Sequence, residues 1–207
     1  SGNNPTSVTV DASQEGEAMR SLVIVTAGLS TPSTTRALAD ALSTATSAHL
    51  HARGDEAQVT VIELRKLAAE LALTMTDCLA STPLLDAAKE SLVAADGLIA
   101  VSPVFQGSYS GLFKMFFDTL DPHALDGLPT LIAATGGSHR HALVLDYALR
   151  PLLNYLHATV VPTGVYQAAE ELAAAPEVAN PALAARIDRA SGELTDLMAA
   201  RHMHSVL

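Results

Sequence analysis

Short apolar runs alternate with segments of helical periodicity along almost the whole chain, and this alternation constrains the fold more than any other feature. Strands are predicted at 21–28, 57–64, 97–105, 129–137 and 159–166, and helices at 33–53, 65–74, 82–95, 110–120, 140–158 and 181–201. Strands that alternate with helices form a parallel sheet covered by helices on both faces. The sequence therefore predicts an α/β fold, with Pro151 as a kink inside the fifth helix.

The predicted elements occupy one continuous stretch without an internal repeat or a linker. We expect residues 1–20 to be a disordered lead-in, residues 21–201 to form a single domain, and residues 202–207 to be a C-terminal tail. The polar lead-in has neither the basic region nor the apolar region of a signal peptide. Its sequence therefore predicts no secretion signal.

Charge and composition exclude several classes of protein. The formal net charge of −10 disfavours binding to the phosphate backbone of nucleic acids. No apolar run reaches the length that a membrane-spanning helix requires, so no membrane contact is expected. The single cysteine, Cys78, cannot form an internal disulfide and is typical of a small buried side chain. These features indicate a protein of the reducing cytoplasm.

The loop after the first strand carries a cluster of hydroxyl side chains. Ligands of open α/β sheets bind beyond the carboxyl ends of the strands, so this loop is a candidate binding segment. Ser30, Ser33, Thr34 and Thr35 stand where a helix begins, and helix N-termini bind anions. The loop lacks the glycine patterns of dinucleotide-binding and nucleoside-triphosphatase loops, which favours a single terminal phosphate. The alternative is a helix cap without a ligand.

The loop after the third strand concentrates glycine and aromatic residues in a chain that has few aromatics. Its candidate site residues are Pro103, Val104, Phe105, Gly107 and Ser108. Phe105 offers flat apolar surface, and the glycine lets the backbone turn sharply beside a ligand. The serine spacing does not match the nucleophile motif of α/β-hydrolases. The alternative is a strand-to-helix turn that Ser110 caps.

The loop after the fourth strand, "ATGGSHRH", offers backbone amides. The N–H groups near Thr135, Gly136, Gly137 and Ser138 are candidates to meet a ligand carbonyl or a developing negative charge. The alternative is a tight turn with a helix cap. The histidine pairs at 139/141, 49/51 and 202/204 lack a third ligand at metal-site spacing, so no metal site is expected.

Together the three loops provide hydroxyl groups for a phosphate, a flat apolar surface and a set of backbone amides on one edge of the sheet. These properties favour a planar heterocycle that carries one phosphate, and FMN has this chemistry. No nucleophile or acid–base pair stands out in the three loops, which is typical of a protein whose chemistry is carried by its cofactor.

Two longer segments resemble a known family. The runs "SPVFQGSYSGLFKMFFDTL" and "LIAATGGSHRHALVLDYALRPLL" are similar to the NAD(P)H-dependent FMN reductases, and to actinobacterial-type members that are paired with luciferase-like monooxygenases. The resemblance covers about 21–166. It implies a flavodoxin-like three-layer sandwich whose five-stranded parallel sheet has the order 2-1-3-4-5. It also implies that the hydroxyl loop holds phosphate, that residues 103–107 line the isoalloxazine, and that residues 135–137 face its pyrimidine end.

The resemblance further implies hydride transfer from NADPH or NADH to FMN, with reduced flavin passed to a partner monooxygenase. It implies a homodimer or homotetramer, which the nearly all-apolar helix 110–120 also favours. The first loop lacks the arginine common among the serines of such reductases. Arg36 and Arg140 are the basic candidates near the site for a 2′-phosphate. The alternatives are an FMN-bound quinone, azo or metal-ion reductase, a flavodoxin-type electron carrier, and a non-catalytic nucleotide-binding module.

Overall fold

A parallel β-sheet forms the centre of the molecule. The computed structural model describes residues 18–77, 82–169 and 180–205. The strands are β1 (Ala18–Thr26), β2 (Asp55–Glu63), β3 (Gly97–Phe105), β4 (Ser108–Tyr109), β5 (Pro129–Gly136), β6 (Thr159–Val160) and β7 (Val165–Ala168). The sheet order is β2-β1-β3-β5-β6, and β7 also pairs with β5. The predicted order is confirmed, with the predicted fifth strand present as β6 and β7.

In the described parts of the chain, six α-helices connect and cover these strands. They are α1 (Thr34–His51), α2 (Ala68–Thr76), α3 (Pro83–Val93), α4 (Gly111–Asp118), α5 (Arg150–Tyr155) and α6 (Pro181–Ser205). Alternate residues of each strand point to opposite faces of the sheet. Val23 and Val25 belong to the core beneath α3, α4 and α5, whereas Leu22 and Ile24 belong to the core beneath α1 and α6. The predicted three-layer arrangement is therefore confirmed.

The segment after β5 differs from the continuous helix predicted at 140–158. A short 3-10 turn covers His139–His141, a π-helical turn covers Leu145–Leu149, and α5 follows. Pro151 follows the π-helical turn directly, inside a helical run that is unbroken over residues 144–155. The kink predicted at Pro151 thus falls next to a π-helical turn, which is itself a common cause of helix bending. Likewise, a 3-10 turn at Leu64–Leu67 precedes α2 where a helix was predicted from residue 65.

The sequence analysis did not predict β4, which folds back on β3 as an antiparallel hairpin. Gln106 and Gly107 form its two-residue turn, with φ values of 49° and 80°. Both values lie in the left-handed region, which glycine adopts without steric cost. The expectation that Gly107 allows a sharp turn is confirmed. Gly111, by contrast, simply begins α4 and needs no special conformation.

Some predictions fall outside the described residues. These are the lead-in at 1–17, Cys78, the end of the tail at 206–207, and the side chains of 202–205. Residues 18–20, which the sequence analysis assigned to the lead-in, form the first part of β1. In the described ranges, none of the helices has the length and apolar character needed to cross a membrane.

Candidate functional site

The three predicted loops meet around one cavity of about 320 Å³ at the carboxyl edge of the sheet. Its lining consists of Leu29, Ser30, Thr34, Thr35, Pro103, Val104, Phe105, Thr135, Gly136, Gly137, Gln167 and Ala169. Nine of the thirteen predicted site residues belong to this lining. Ser33, Gly107, Ser108 and Ser138 do not. Among the described residues that line the cavity, no side chain is acidic, basic or otherwise ionisable near neutral pH.

The hydroxyl loop between β1 and α1 is folded tightly on itself. Ser33 is the N-cap of α1, and its Oγ accepts a hydrogen bond from the Arg36 backbone N–H at 3.2 Å. A Cβ on Gly28 would lie only 2.2 Å from that Oγ, so the turn needs glycine there. Ser33 therefore supports the loop, while the exposed Ser30 and Thr34 line the cavity.

A buried hydrogen bond joins the hydroxyl loop to the end of β5. Thr35 Oγ1 lies 2.8 Å from Thr135 Oγ1, and both side chains are almost fully buried. Hydrogen bonds between buried polar groups contribute little net stability, but leaving one partner unsatisfied is costly. This hydrogen bond fixes the distance between the loop after β1 and the end of β5 at the floor of the cavity.

The wall formed by β3 presents apolar surface to the cavity. Pro103 is buried, Val104 is half-buried, and the side chain of Phe105 is 45 % exposed. Behind the wall, Ser102 Oγ accepts a hydrogen bond from the Ser110 backbone N–H at 2.9 Å. Ser110 in turn caps α4, as the alternative interpretation proposed. These contacts hold the strand end in place while Phe105 remains open to solvent.

Two predicted members of this wall lie elsewhere. Gly107 sits at the tip of the hairpin, and Ser108 faces a separate groove of about 610 Å³ beside α4 and α5. Both belong to the loop after the third predicted strand, and the hairpin turns them away from the cavity lining. The glycine forms the turn of the hairpin.

The two glycines after β5 have different surroundings. A Cβ on Gly136 would lie 2.2 Å from the hydroxyl of Tyr166, whereas a Cβ on Gly137 would meet nothing within 4 Å. The Tyr166 hydroxyl donates a hydrogen bond to the Ser138 carbonyl oxygen at 2.8 Å. The Ser138 Oγ accepts from Arg140 Nε at 3.0 Å. Ser138 thus anchors the loop from behind, and Gly137 leaves open space in front.

A cluster of charged side chains supports the hydroxyl loop from the end of β2. Arg65 contacts the Thr31 hydroxyl and lies 3.4 Å from the Ser30 carbonyl oxygen. Glu63 forms ion pairs with Arg36 at 2.8 Å, with Arg65 at 3.0 Å and with Lys66 at 3.0 Å. Each of the three cations beside the loop is therefore already paired with a carboxylate.

These contacts shift two pKa values. The hydrogen bond from Lys66, supported by Arg65 and Arg36, lowers the pKa of Glu63 below its ordinary value. The hydrogen bond to Asp40 raises the pKa of Arg36. Glu63 is consequently ionised well below neutral pH, and the cluster carries its charges throughout the physiological range.

Comparison with known proteins agrees with this geometry. The family model described as NADPH-dependent FMN reductase matches residues 19–172. The chain belongs to the NADPH-dependent FMN reductase family. As a member, it is an oxidoreductase that uses FMN together with NADH or NADPH.

Individual relatives of this FMN reductase are similar over most of their length. The NADH-dependent FMN reductase SfnE of Pseudomonas putida is 39 % identical over 184 residues, covering 87 % of this chain and 94 % of the relative. A solved oxidoreductase from Corynebacterium diphtheriae is 50 % identical, with a TM-score of 0.82, covering 89 % of this chain and 99 % of that one. A flavodoxin, WrbA-like protein from Agrobacterium tumefaciens is 16 % identical, with a TM-score of 0.57, covering 89 % and 99 %. The last confirms the flavodoxin-like fold.

The sequence analysis missed several residues of the candidate site. Gln167 and Ala169 line the cavity from the end of β7, and Gln167 is in register with Thr135. The rule that placed three loops at one edge applies equally to the loop after the last strand. Arg65 was missed because it follows β2, and only the loops after β1, β3 and β5 were considered.

Proposed function

We propose that this FMN reductase treats FMN as a diffusible substrate and supplies reduced flavin to a partner monooxygenase of the luciferase-like class. The observation that carries the proposal is the character of the phosphate end of the cavity. It offers exposed neutral hydroxyls, and the cations beside it are already paired with Glu63 and Asp40. Such a site favours binding that is reversible instead of permanent.

The residues around the cavity fit FMN in size and chemistry. Ser30, Thr34 and Thr35 would hold the phosphate with hydroxyl donors at the start of α1. Pro103, Val104 and Phe105 would line the flat ring. The open space at Gly137, which a side chain would fill, would let the backbone approach the ring closely.

When FMN is bound, it accepts the hydride from the nicotinamide, and the protein contributes position and environment. The described part of the lining offers no ionisable group that would act as a general acid or base. Thr135 and the amides near Gly136 and Gly137 would donate hydrogen bonds toward the ring's polar end, where negative charge develops. Phe105 would keep one ring face against apolar surface while its exposed edge borders the approach of the nicotinamide.

Moderate affinity follows from the electrostatics. Hydrogen bonds that involve a charged partner are about twice as strong as neutral ones, so a seat of hydroxyls holds phosphate less tightly than a free guanidinium would. Arg65 acts through the loop, because it contacts Thr31 and the Ser30 carbonyl. The net charge of −10 also opposes a bound phosphate.

We also propose that the protein is a homodimer or homotetramer of the cytoplasm. The apolar helix predicted at 110–120 does not support an oligomer, because its Phe113, Phe116 and Phe117 are buried within the chain. The support comes from the groove beside α4 and α5. Tyr147 and Tyr155 line this groove and are each 79 % exposed, which is unusual for an unpartnered surface. A second copy of this chain would cover them.

Dialysis tests whether the flavin is a substrate. The purified protein is dialysed, and NADPH and NADH oxidation are measured with and without added FMN. We expect the dialysed protein to lose its flavin and the rate to rise with added FMN to saturation. A flavin that survives dialysis, with a rate indifferent to FMN, would support the quinone, azo or metal-ion reductase alternative. Tight flavin without nicotinamide turnover would support an electron carrier.

A further inference from the structure

Three side chains that can bind a metal converge at the amino end of β5. The His123 Nδ1 lies 3.1 Å from one carboxylate oxygen of Asp126, and the His157 Nδ1 lies 2.9 Å from the other. One ligand atom from each residue falls within 4.8 Å of the other two. Within the ranges that the structure describes, no other group of three histidine, cysteine or acidic side chains meets this criterion.

The backbone holds both histidines in place. His157 adopts φ of 64°, a conformation that is uncommon for residues other than glycine. Its carbonyl oxygen accepts a hydrogen bond from the Gly127 N–H at 2.9 Å, and its own N–H donates to Asn154 at 3.0 Å. The His123 N–H donates to the Asp121 carboxylate at 3.0 Å. The two imidazoles thus face one carboxylate from fixed positions on different segments.

The chemistry of this cluster selects a class of ion. Imidazole nitrogen suits zinc, copper, nickel and iron, whereas magnesium and calcium prefer oxygen ligands. Ligand atoms about 2.1 Å from a tetrahedral zinc ion lie about 3.4 Å apart. The observed nitrogen–oxygen separations of 3.1 Å and 2.9 Å are close to this value, so small rotations of exposed side chains would open the space.

We propose that His123, Asp126 and His157 form a binding site for one divalent transition-metal ion of the zinc class, with water in the remaining position. The ion would cross-link the connection between α4 and β5 to the turn after α5. The site is distinct from the flavin cavity, because β5 advances about 3.3 Å per residue and the seven steps between its eight residues place the two ends about 23 Å apart. The proposal does not depend on the proposed handling of flavin.

The sequence analysis did not expect this site. It examined histidine pairs close together in the chain, and His123 and His157 are separated by a strand, a π-helical turn and a helix. The tertiary fold brings the third ligand to the other two.

Zinc titration tests the proposal on the full-length, untagged protein loaded with FMN. Calorimetry in a non-chelating buffer at neutral pH should show one strong zinc site per chain. His157→Asn, His123→Gln and Asp126→Asn should each weaken that site at least ten-fold. Asparagine is chosen at 157 because it tolerates the left-handed backbone. His51→Asn is the matched control, since His51 pairs with the carboxylate of Glu56 at the surface and is not part of the cluster, so its loss should leave zinc affinity unchanged.

Thermal unfolding gives a second readout. Zinc should raise the melting temperature of the wild type and of His51→Asn, but not that of the three site variants, because only a bound ion stabilises the native state. Flavin reduction without zinc should be equal in all of them, which shows that the variants are folded. Zinc affinity that is absent in the wild type, or equal in wild type and site variants, would overturn the proposal.

Discussion

Thr35 and Thr135, which are 100 residues apart in the chain, share a buried hydrogen bond of 2.8 Å between their hydroxyl oxygens. One residue belongs to the first turn of α1 and the other to the end of β5. The bond therefore joins the loop proposed to hold the phosphate to the loop proposed to meet the polar end of the ring. We infer that this hydrogen bond fixes the length of the cavity.

Thr35→Val should separate the effect of this hydrogen bond from the effect of side-chain packing, because valine keeps the shape of threonine and removes the hydroxyl. Thr135 would then be a buried hydroxyl without its partner, which costs about 1–3 kcal/mol of stability. We expect a lower midpoint in urea unfolding and a higher KM for FMN. Thr35→Ser, which keeps the hydroxyl, is the control and should retain a lower KM than Thr35→Val. Equal KM values for both variants would show that the bond does not position the site.

Gly136 and Gly137 should respond differently to added side chains. Gly136→Ala places a Cβ against the Tyr166 hydroxyl, so it should reduce stability. A Cβ at position 137 meets no protein atom within 4 Å, so Gly137→Val should fold normally, but its side chain would occupy the space proposed for the flavin ring. We expect the second variant to keep the wild-type melting temperature and to lose flavin reduction. Normal turnover in Gly137→Val would place the flavin elsewhere.

Thr34→Glu tests the phosphate end of the cavity. Thr34 is exposed, lines the cavity and begins α1. A carboxylate in the first helical turn is compatible with helix stability, yet it would repel a bound phosphate. We expect the KM for FMN to rise about ten-fold, equivalent to about 1.4 kcal/mol. Thr44→Glu adds the same charge on the exposed middle of α1 and should change the KM little. Similar values for the two variants would remove the hydroxyl loop from the site.

Glu63 should give stability a defined dependence on pH. Its pKa is lowered in the folded state, chiefly by Lys66, from an ordinary value of 4.5. The ionised carboxylate therefore stabilises the fold above pH 4.5, and this contribution is lost as pH falls through the lowered pKa. We expect Glu63→Gln to melt at a lower temperature than wild type at pH 7, and the difference to narrow below pH 4.5. A difference that is constant with pH would contradict the ion-pair account.

Much of the fold could be predicted because its central strands are buried on both faces. The run at 97–105 was predicted with the bounds that β3 has, since a run of mostly apolar residues marks such a strand. The interruptions in the segment 139–155 were not predicted, because its residues have helical periodicity and the π-helical turn depends on tertiary packing. The β4 hairpin was also missed, since a two-residue strand has no periodicity to detect.

The candidate site could be predicted at the level of loops, but less well at the level of side chains. Ser33 and Thr34 are adjacent hydroxyls, and the sequence alone does not say which one caps the helix and which one faces the cavity. Arg65 reaches the first loop from a neighbouring strand, a contact that follows from sheet order. The sequence analysis named Arg36 and Arg140 as the basic groups near the site, and the structure adds Arg65 to them.

The most direct test of the central claim is an anaerobic mixture of this protein with excess NADPH and a large excess of FMN, followed by the flavin absorbance. If FMN is a diffusible substrate, catalytic amounts of protein should bleach the whole flavin pool over many turnovers. Bleaching that stops at one flavin per protein chain would contradict the account, because it would mean that the reduced flavin stays bound.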